Sequence, residues 1–264
     1  MRALPVLQLF FLATLAATTH GSFELDIADQ IIHLLRPKTR SGDSHVDDNV
    51  SCLSWRLGVE THNIIDWTTV PAACEGYAGD YLLGHQYRKD SEVVAHEAYL
   101  YAESLNLTDD GNNLWIFDID ETSLSNLPYF ADHGFGVEVL NTTSYGAWML
   151  EGIAPALPES LKLYKKLLAL GIKVAFLTGR GESIRNVTET NLMNAGYDSW
   201  EKLILKDSSY SGDTAVMYKS SERKKLEGSG YKIIGNIGDQ WSDLLGTNVG
   251  NRTFKLPNPM YYAS

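Results

Sequence analysis

The sequence predicts an α/β fold, a parallel sheet flanked by helices, preceded by a smaller and mainly helical N-terminal segment. Two observations carry that expectation. From residue 113 onward, short apolar runs alternate with amphipathic stretches in the order strand, helix, strand, helix. Several of those runs stop abruptly at Asp, Thr or Gly, where a parallel sheet presents its ligand-binding rim. At 264 residues and 44% hydrophobic, the chain can hold one large domain with a modest extension. The formal net charge of −11 argues against nucleic acid or anionic membrane as a partner. It also means that an anionic substrate would need a site made locally positive.

Residues 1–22 read as a signal peptide. Arg2 supplies the positive end, Leu4 to Ala17 the apolar run, and Ala16, Ala17 and Gly21 the small residues near the cleavage region. The run falls short of the ~20 residues that a membrane span needs. A secreted (apoplastic) or vacuolar destination is therefore expected.

Residues 23–111 are expected to form a helical segment packing on the core. Leu25, Ala28, Ile31, Ile32 and Leu35 make a helical stripe between Glu24 and Arg36, and Pro37 ends it before a polar loop to Val50. Cys52 and Cys74 are the only cysteines. In a secreted chain such a pair predicts one disulfide, stabilising by roughly 3 kcal/mol in the chain-entropy model. Trp55, Trp67, Tyr77, Tyr81 and Tyr87 either pack this segment or form a stacking surface for sugars or bases. A helix is expected over Asp90 to Leu105, with Val93, Val94, Tyr99 and flanking alanines on its apolar face.

Residues 112–264 are the expected core domain. Leu114 to Phe117 reads as a buried strand that runs into Asp118-Ile-Asp120-Glu-Thr122. Side chains two apart on a strand lean the same way, so Asp118, Asp120 and Thr122 can converge past its carboxyl end. Two carboxylates 4 Å apart repel by roughly 4 kcal/mol at an effective dielectric of 20. A cation with oxygen ligands, Mg2+ by preference, would offset that repulsion.

An insert at 127–151 then leaves and rejoins the sheet. Its Pro128, Tyr129, Phe130, Tyr145 and Trp148 either grip the organic part of a substrate or pack on the sheet. A helix opens at Pro158 with the stripe Leu161, Tyr164, Leu167 and Leu168, and stops at Gly171. The strand Ile172 to Leu177 follows, ending in Thr178-Gly179-Arg180. A helix from Glu182 to Ala195 precedes a short strand, Leu203 to Lys206. Lys219-Ser220 opens a further helix that runs to about Glu227. The strand Tyr231 to Asn236 leads into Gly238-Asp239-Gln-Trp-Ser-Asp243, and a last strand lies near Thr253 to Leu256.

One rim thus collects Asp118, Asp120 and Thr122, then Thr178 and Gly179, then Lys219 and Ser220, then Asp239 and Asp243. These are acids for a metal, a hydroxyl and backbone amides for phosphoryl oxygens, and a lysine for charge. No Walker loop, no Gly-x-Ser-x-Gly elbow and no His-x-x-x-His pair occurs.

In order, Asp118-Ile-Asp120-Glu-Thr122, Phe176-Leu-Thr178-Gly-Arg180, Lys219-Ser220 and Gly238-Asp239-Gln-Trp-Ser-Asp243 resemble the four motifs of haloacid dehalogenase (HAD) superfamily phosphatases. The likeness is closer still to the plant secreted acid phosphatase and vegetative storage protein group, which is class B acid phosphatase-like. It extends from about Cys52 through Phe254-Lys-Leu-Pro-Asn-Pro-Met260. The resemblance implies a HAD-like Rossmannoid sheet and hydrolysis of small phosphomonoesters through an aspartyl-phosphate.

It implies Asp118 as nucleophile and Asp120 as general acid and base. Thr178 and Lys219 would hold phosphoryl oxygens, with Thr122 and Gly179 also contacting substrate. Mg2+ would be held by the Asp118 carboxylate, the Asp120 backbone carbonyl and Asp239, with Asp243 ordering a metal-bound water. Lys219 is preferred to Lys224 or Lys225 because it opens its helix and precedes Ser220. Arg180 either touches substrate or makes a structural ion pair. Relatives that act as dehalogenases lack the second acid of the first motif, and Asp120 is present here.

The alternative within the resemblance is a vegetative (nitrogen) storage glycoprotein with weak or vestigial phosphatase activity. A glycan- or partner-binding module built on the N-terminal aromatics is a third reading. Sequons at Asn49, Asn106, Asn141, Asn186 and Asn251 are glycosylation candidates in a secreted protein. No nucleic-acid or membrane partner is expected, and a homodimer is left open.

Overall fold

A computed structural model describes residues 51–107 and 111–264, which lie within one compact unit. The expected signal peptide, the helix expected at 24–36, the polar loop expected after it and the Asn49 sequon lie outside the described residues.

The expected parallel sheet is present. Among the described residues it comprises β1 (Asn113–Phe117), β2 (Lys173–Gly181), β3 (Lys202–Lys206), β4 (Lys232–Gly238) and β5 (Thr253–Lys255). Their order is β3-β2-β1-β4-β5 and every pairing is parallel. The central strand β1 is buried along its whole length, as the all-apolar run Leu114 to Phe117 requires. Alternation then sorts its side chains. Trp115 and Phe117 join one core and Leu114 and Ile116 the other, as do Val174 and Phe176 against Ala175 and Leu177 on β2.

Helices cover both faces. On one, α6 (Pro158–Ala169) packs against α3 (His85–Glu103). On the other, α8 (Ala215–Gly228) seals Leu114 and Ile116 with Tyr218 and Leu226. Between β1 and α6 the insert forms α4 (Leu127–Ala131) and α5 (Thr142–Glu151). Helix α7 (Arg185–Asn194) joins β2 to β3, and the single turn α9 (Trp241–Leu244) follows β4.

In the N-terminal part, α1 (Cys52–Glu60) is tied by the Cys52–Cys74 disulfide to the turn that precedes α2 (Glu75–Leu83). The aromatics there pack inward. Trp55 meets Trp67 edge-on at 5.3 Å, and Tyr81 and Tyr87 are buried. Helix α3 starts five residues earlier than its periodicity suggested, immediately after Gly84. Its buried stripe is Ser91, Ala95, Ala98 and Ala102, whereas Val93 is 61% exposed. Small side chains at i, i+4, i+7 and i+11 let α3 approach α6 closely, and an Arg88–Glu159 ion pair at 2.5 Å joins the two.

The sheet has one irregularity next to its centre. Leu114 pairs with Ile233 but Trp115 with Gly235, so β4 carries one extra residue there. The Trp115 ring lies directly over Gly235 and stacks on Phe254 at 5.5 Å between centroids. A Cβ at position 235 would fall 2.4 Å from that ring. Gly235→Ala is therefore expected to destabilise the fold by about 1–3 kcal/mol through overpacking, read as a lower melting temperature; an unchanged melt would contradict the packing described.

Candidate active site

The carboxyl ends of β1, β2 and β4 and the first turns of α8 converge on a pocket of about 180 Å³. Asp118, Asp120, Gly179, Lys219 and Asp239 line its polar end, and Phe130, Leu140, Tyr145 and Tyr261 line its apolar wall. Asp118 continues the Leu114–Ile116 face of β1, which is the face covered by α8. Lys219, one turn into that helix, consequently reaches Asp118 Oδ1 at 2.6 Å and also contacts Asp243 Oδ1. Lys224 and Lys225, the competing lysines, do not line the pocket; Lys225 pairs with Glu222 and Tyr210 instead.

Carboxylate oxygens from Asp118, Asp239 and Asp243 all lie within 4.8 Å of one another, and all three residues are buried. Burial pushes Asp118 well above the usual carboxylate range and Lys219 opposes it, while Asp243, Asp239 and Asp120 add to the rise. Burial and Asp243 likewise push Asp239 up to about 6. Burial alone would lower the Lys219 ammonium, but Asp118 and Asp243 outweigh it and hold the proton on. Two of the three acids, Asp118 and Asp243, thus share the Lys219 ammonium in direct contact, Asp239 lies beside them, and the donors are hard oxygens. Such a set could hold a divalent cation.

Asp239 and Asp243 are aimed by neutral partners. Asp239 accepts from Thr122 Oγ1 at 3.0 Å and from Gln240 Nε2 and Asn258 Nδ2, both at 2.7 Å. Thr122, expected as a substrate contact, is fully buried with its hydroxyl spent on Asp239. Asp243 Oδ2 accepts from the Gln240 backbone at 2.9 Å. It packs so closely over Gly238 that a Cβ there would lie 2.2 Å away. Thr178 Oγ1 accepts from the Arg180 backbone at 3.1 Å, and Gly179 opens onto the pocket.

Asp120 stands apart from the three-acid cluster. Arg180 donates to it from Nη2 at 2.8 Å and from Nε at 3.1 Å, and Asn126 Nδ2 donates at 2.8 Å. Burial works to raise its carboxyl, but Arg180 and Asn126 outweigh burial and hold it below the ordinary value. Arg180 is therefore an ion-pair partner of Asp120, one of the two roles open for it in the sequence.

Several residues in the site carried no signal in their spacing. Glu121 takes a left-handed backbone (φ 54°), which costs a non-glycine residue about 1 kcal/mol. Its side chain offsets this by accepting from the Asn126 backbone at 2.5 Å and from Tyr261 Oη at 2.7 Å. Ser123 Oγ donates to the Asp118 carbonyl at 2.6 Å. Arg223, wholly buried and without a contacting carboxylate among the described residues, donates to the carbonyls of Asp243, Leu245 and Thr247, and burial lowers it to about 10. Of the sequon asparagines, Asn106, Asn141, Asn186 and Asn251 are exposed.

Glu121 supplies a pH test. Burial, then Asp120 and Asp239, push it from 4.5 to about 8. Between those values the folded protein keeps a proton that the unfolded chain releases, so stability falls as pH rises through that window. Asp118 and Asp239 shift in the same direction, whereas the Asp120 contribution is lost only at pH below its unfolded value of 3.8. Metal-free protein is expected to melt at a higher temperature at pH 5 than at pH 8, and Glu121→Gln should flatten that slope. A melting temperature that climbs from pH 5 to pH 8 would contradict the burial of these acids.

Comparison with known proteins agrees with this geometry. Residues 36–264 match the family model for HAD superfamily, subfamily IIIB (acid phosphatase). The chain is 50% identical to acid phosphatase 1 of Solanum lycopersicum over 220 residues, covering 83% of this chain and 86% of that protein. It is 45% identical to vegetative storage protein 2 of Arabidopsis thaliana over 262 residues, 97% of this chain and 96% of that one. The class C acid phosphatase from Bacillus anthracis superposes with a TM-score of 0.59 at 19% identity, covering 71% of this chain and 85% of that structure, a likeness of fold. The chain belongs to the subfamily IIIB acid phosphatases of the HAD superfamily.

Proposed function

We propose that this protein hydrolyses small phosphate monoesters by double displacement on Asp118. The observation that carries the reading is the Asp118 carboxylate, buried at the polar end of the pocket and 2.6 Å from Lys219. An Asp118 oxygen attacks phosphorus as the bond from phosphorus to the ester oxygen breaks. The Asp120 carboxyl, which Arg180 keeps mostly ionised in the substrate-free protein, carries a proton in the form that reacts and gives it to the departing alkoxide. Water then attacks the aspartyl-phosphate and passes its proton to the Asp120 carboxylate. The Asp118–phosphorus bond breaks, and orthophosphate and the free enzyme result.

Lys219, already between Asp118 and Asp243, serves the phosphoryl oxygens as charge redistributes, with Thr178 and the Gly179 backbone at the end of β2. Asp118 and Asp239, with the Asp120 backbone carbonyl and Asp243 behind them, would hold Mg2+. When bound, that ion would neutralise the excess acid charge and draw negative charge off the transferring phosphoryl group. The wall of Phe130, Leu140, Tyr145 and Tyr261 takes the organic part of the ester.

A second reading is a storage protein with feeble turnover, favoured by the 45% identity to vegetative storage protein 2. Against it, both acids of the first motif stand, and their partners are in contact. We read residues 1–22 as a cleaved signal directing the protein to the apoplast or vacuole; the N-terminal sequence of the mature protein tests this.

Asp118→Asn is expected to lower turnover of p-nitrophenyl phosphate on the order of a thousandfold or more, with an unaltered circular dichroism spectrum. Turnover at the wild-type rate in that variant would refute the nucleophile assignment. Chelation should abolish activity and added Mg2+ restore it. High abundance in tissue with negligible turnover in the presence of Mg2+ would favour storage.

A further inference from the structure

The insert does more than wall the pocket. Trp148, on α5, donates from Nε1 to Asn126 Oδ1 at 2.9 Å. Asn126 Nδ2 donates onward to Asp120 Oδ1 at 2.8 Å and to Glu121 Oε2 at 3.2 Å. An indole N–H can only donate, so it fixes the asparagine oxygen toward α5 and the amide protons toward the two acids. Asn126 is wholly buried, and neither Asn126 nor Trp148 lines the pocket. Burying an amide is costly unless its groups are paired, and here its oxygen and its NH2 group are both engaged.

The other hold on Asp120 comes from the sheet. Arg180, at the end of β2, approaches both carboxylate oxygens from Nε at 3.1 Å. Its Nη2 also donates to Oδ1 at 2.8 Å, so the guanidinium grips the carboxyl as a fork. Asn126 supplies a second donor from a different direction, and the direction of that donor is set by α5.

We propose that Asn126 and Trp148 are positioning residues that aim the Asp120 carboxyl at the ester oxygen, so that the placement of α5 governs the proton-transfer half of the reaction. This rests on the reading of Asp120 as general acid and base. Misaiming that group matters in proportion to how badly the leaving alcohol needs a proton. A nitrophenolate departs without one, whereas an alkoxide does not.

The test compares p-nitrophenyl phosphate with glycerol 2-phosphate in full-length protein supplied with Mg2+. Trp148→Phe keeps an aromatic ring at this position and deletes the N–H. It is expected to lower kcat on the glycerol ester about tenfold and on the nitrophenyl ester by less than about threefold. The inhibition constant of orthophosphate should stay unchanged, because the phosphoryl end is held by other residues. Asn126→Leu should show the same asymmetry more strongly; since it empties a buried amide, Trp148→Phe decides if that variant fails to fold. Equal losses on the two esters, or none on either, overturn the proposal while leaving the phosphatase reading intact. Wild-type protein that turns over neither ester overturns both.

Discussion

The constraint on which the site depends is the repulsion among Asp118, Asp239 and Asp243, gathered in a buried space where Lys219 touches Asp118 and Asp243. Much of the nearby architecture makes that gathering tolerable. Thr122, Gln240 and Asn258 spend donors on Asp239, and the Gln240 backbone spends one on Asp243. Gly238 lacks a side chain where the Asp243 carboxylate presses on the strand end. Arg223 clamps the carbonyls of Asp243, Leu245 and Thr247, which keeps that loop in place without contacting the Asp243 carboxylate. A cation of charge two would complete what one lysine begins.

Two aspartates only two residues apart meet opposite surroundings. Asp118 stays in line with the strand and shares its pocket with other acids, so burial dominates and its proton is held more tightly. Asp120 meets Arg180 and Asn126 instead, and the chain turns immediately after it at Glu121, through a backbone conformation that ordinary residues avoid. The two carboxylates thus differ in their partners, other acids and Lys219 around Asp118 against Arg180 and Asn126 around Asp120, so their protons are held with opposite strength.

The C-terminal stretch belongs to the site as much as the motifs do. Asn258 reaches Asp239, Tyr261 reaches Glu121 and walls the pocket, and Gln240 accepts from Ala263 N–H at 3.0 Å. The tail therefore braces both the acid cluster and the strained turn. The insert contributes from the opposite side through Phe130 and Tyr145, so the apolar wall is built from segments more than a hundred residues apart.

The strands, the helices after residue 150 and the rim residues were legible in the sequence because they follow from local rules. Apolar runs of strand length must be buried, side chains two apart share a face, and polar residues at a strand's end go to the rim. The membership of the four motif segments in one constellation was legible for the same reason. Which carboxylate meets which cation was not, since Lys219 and Asp118 are 101 residues apart, and Arg180 and Asp120 are 60 apart. Nor could spacing reveal that Thr122 serves Asp239, that Asn126 bridges α5 to Asp120, or that α3 leaves Val93 exposed. Those outcomes depend on how close two elements approach and from which side, and only the packed sheet with its helices sets that distance and direction.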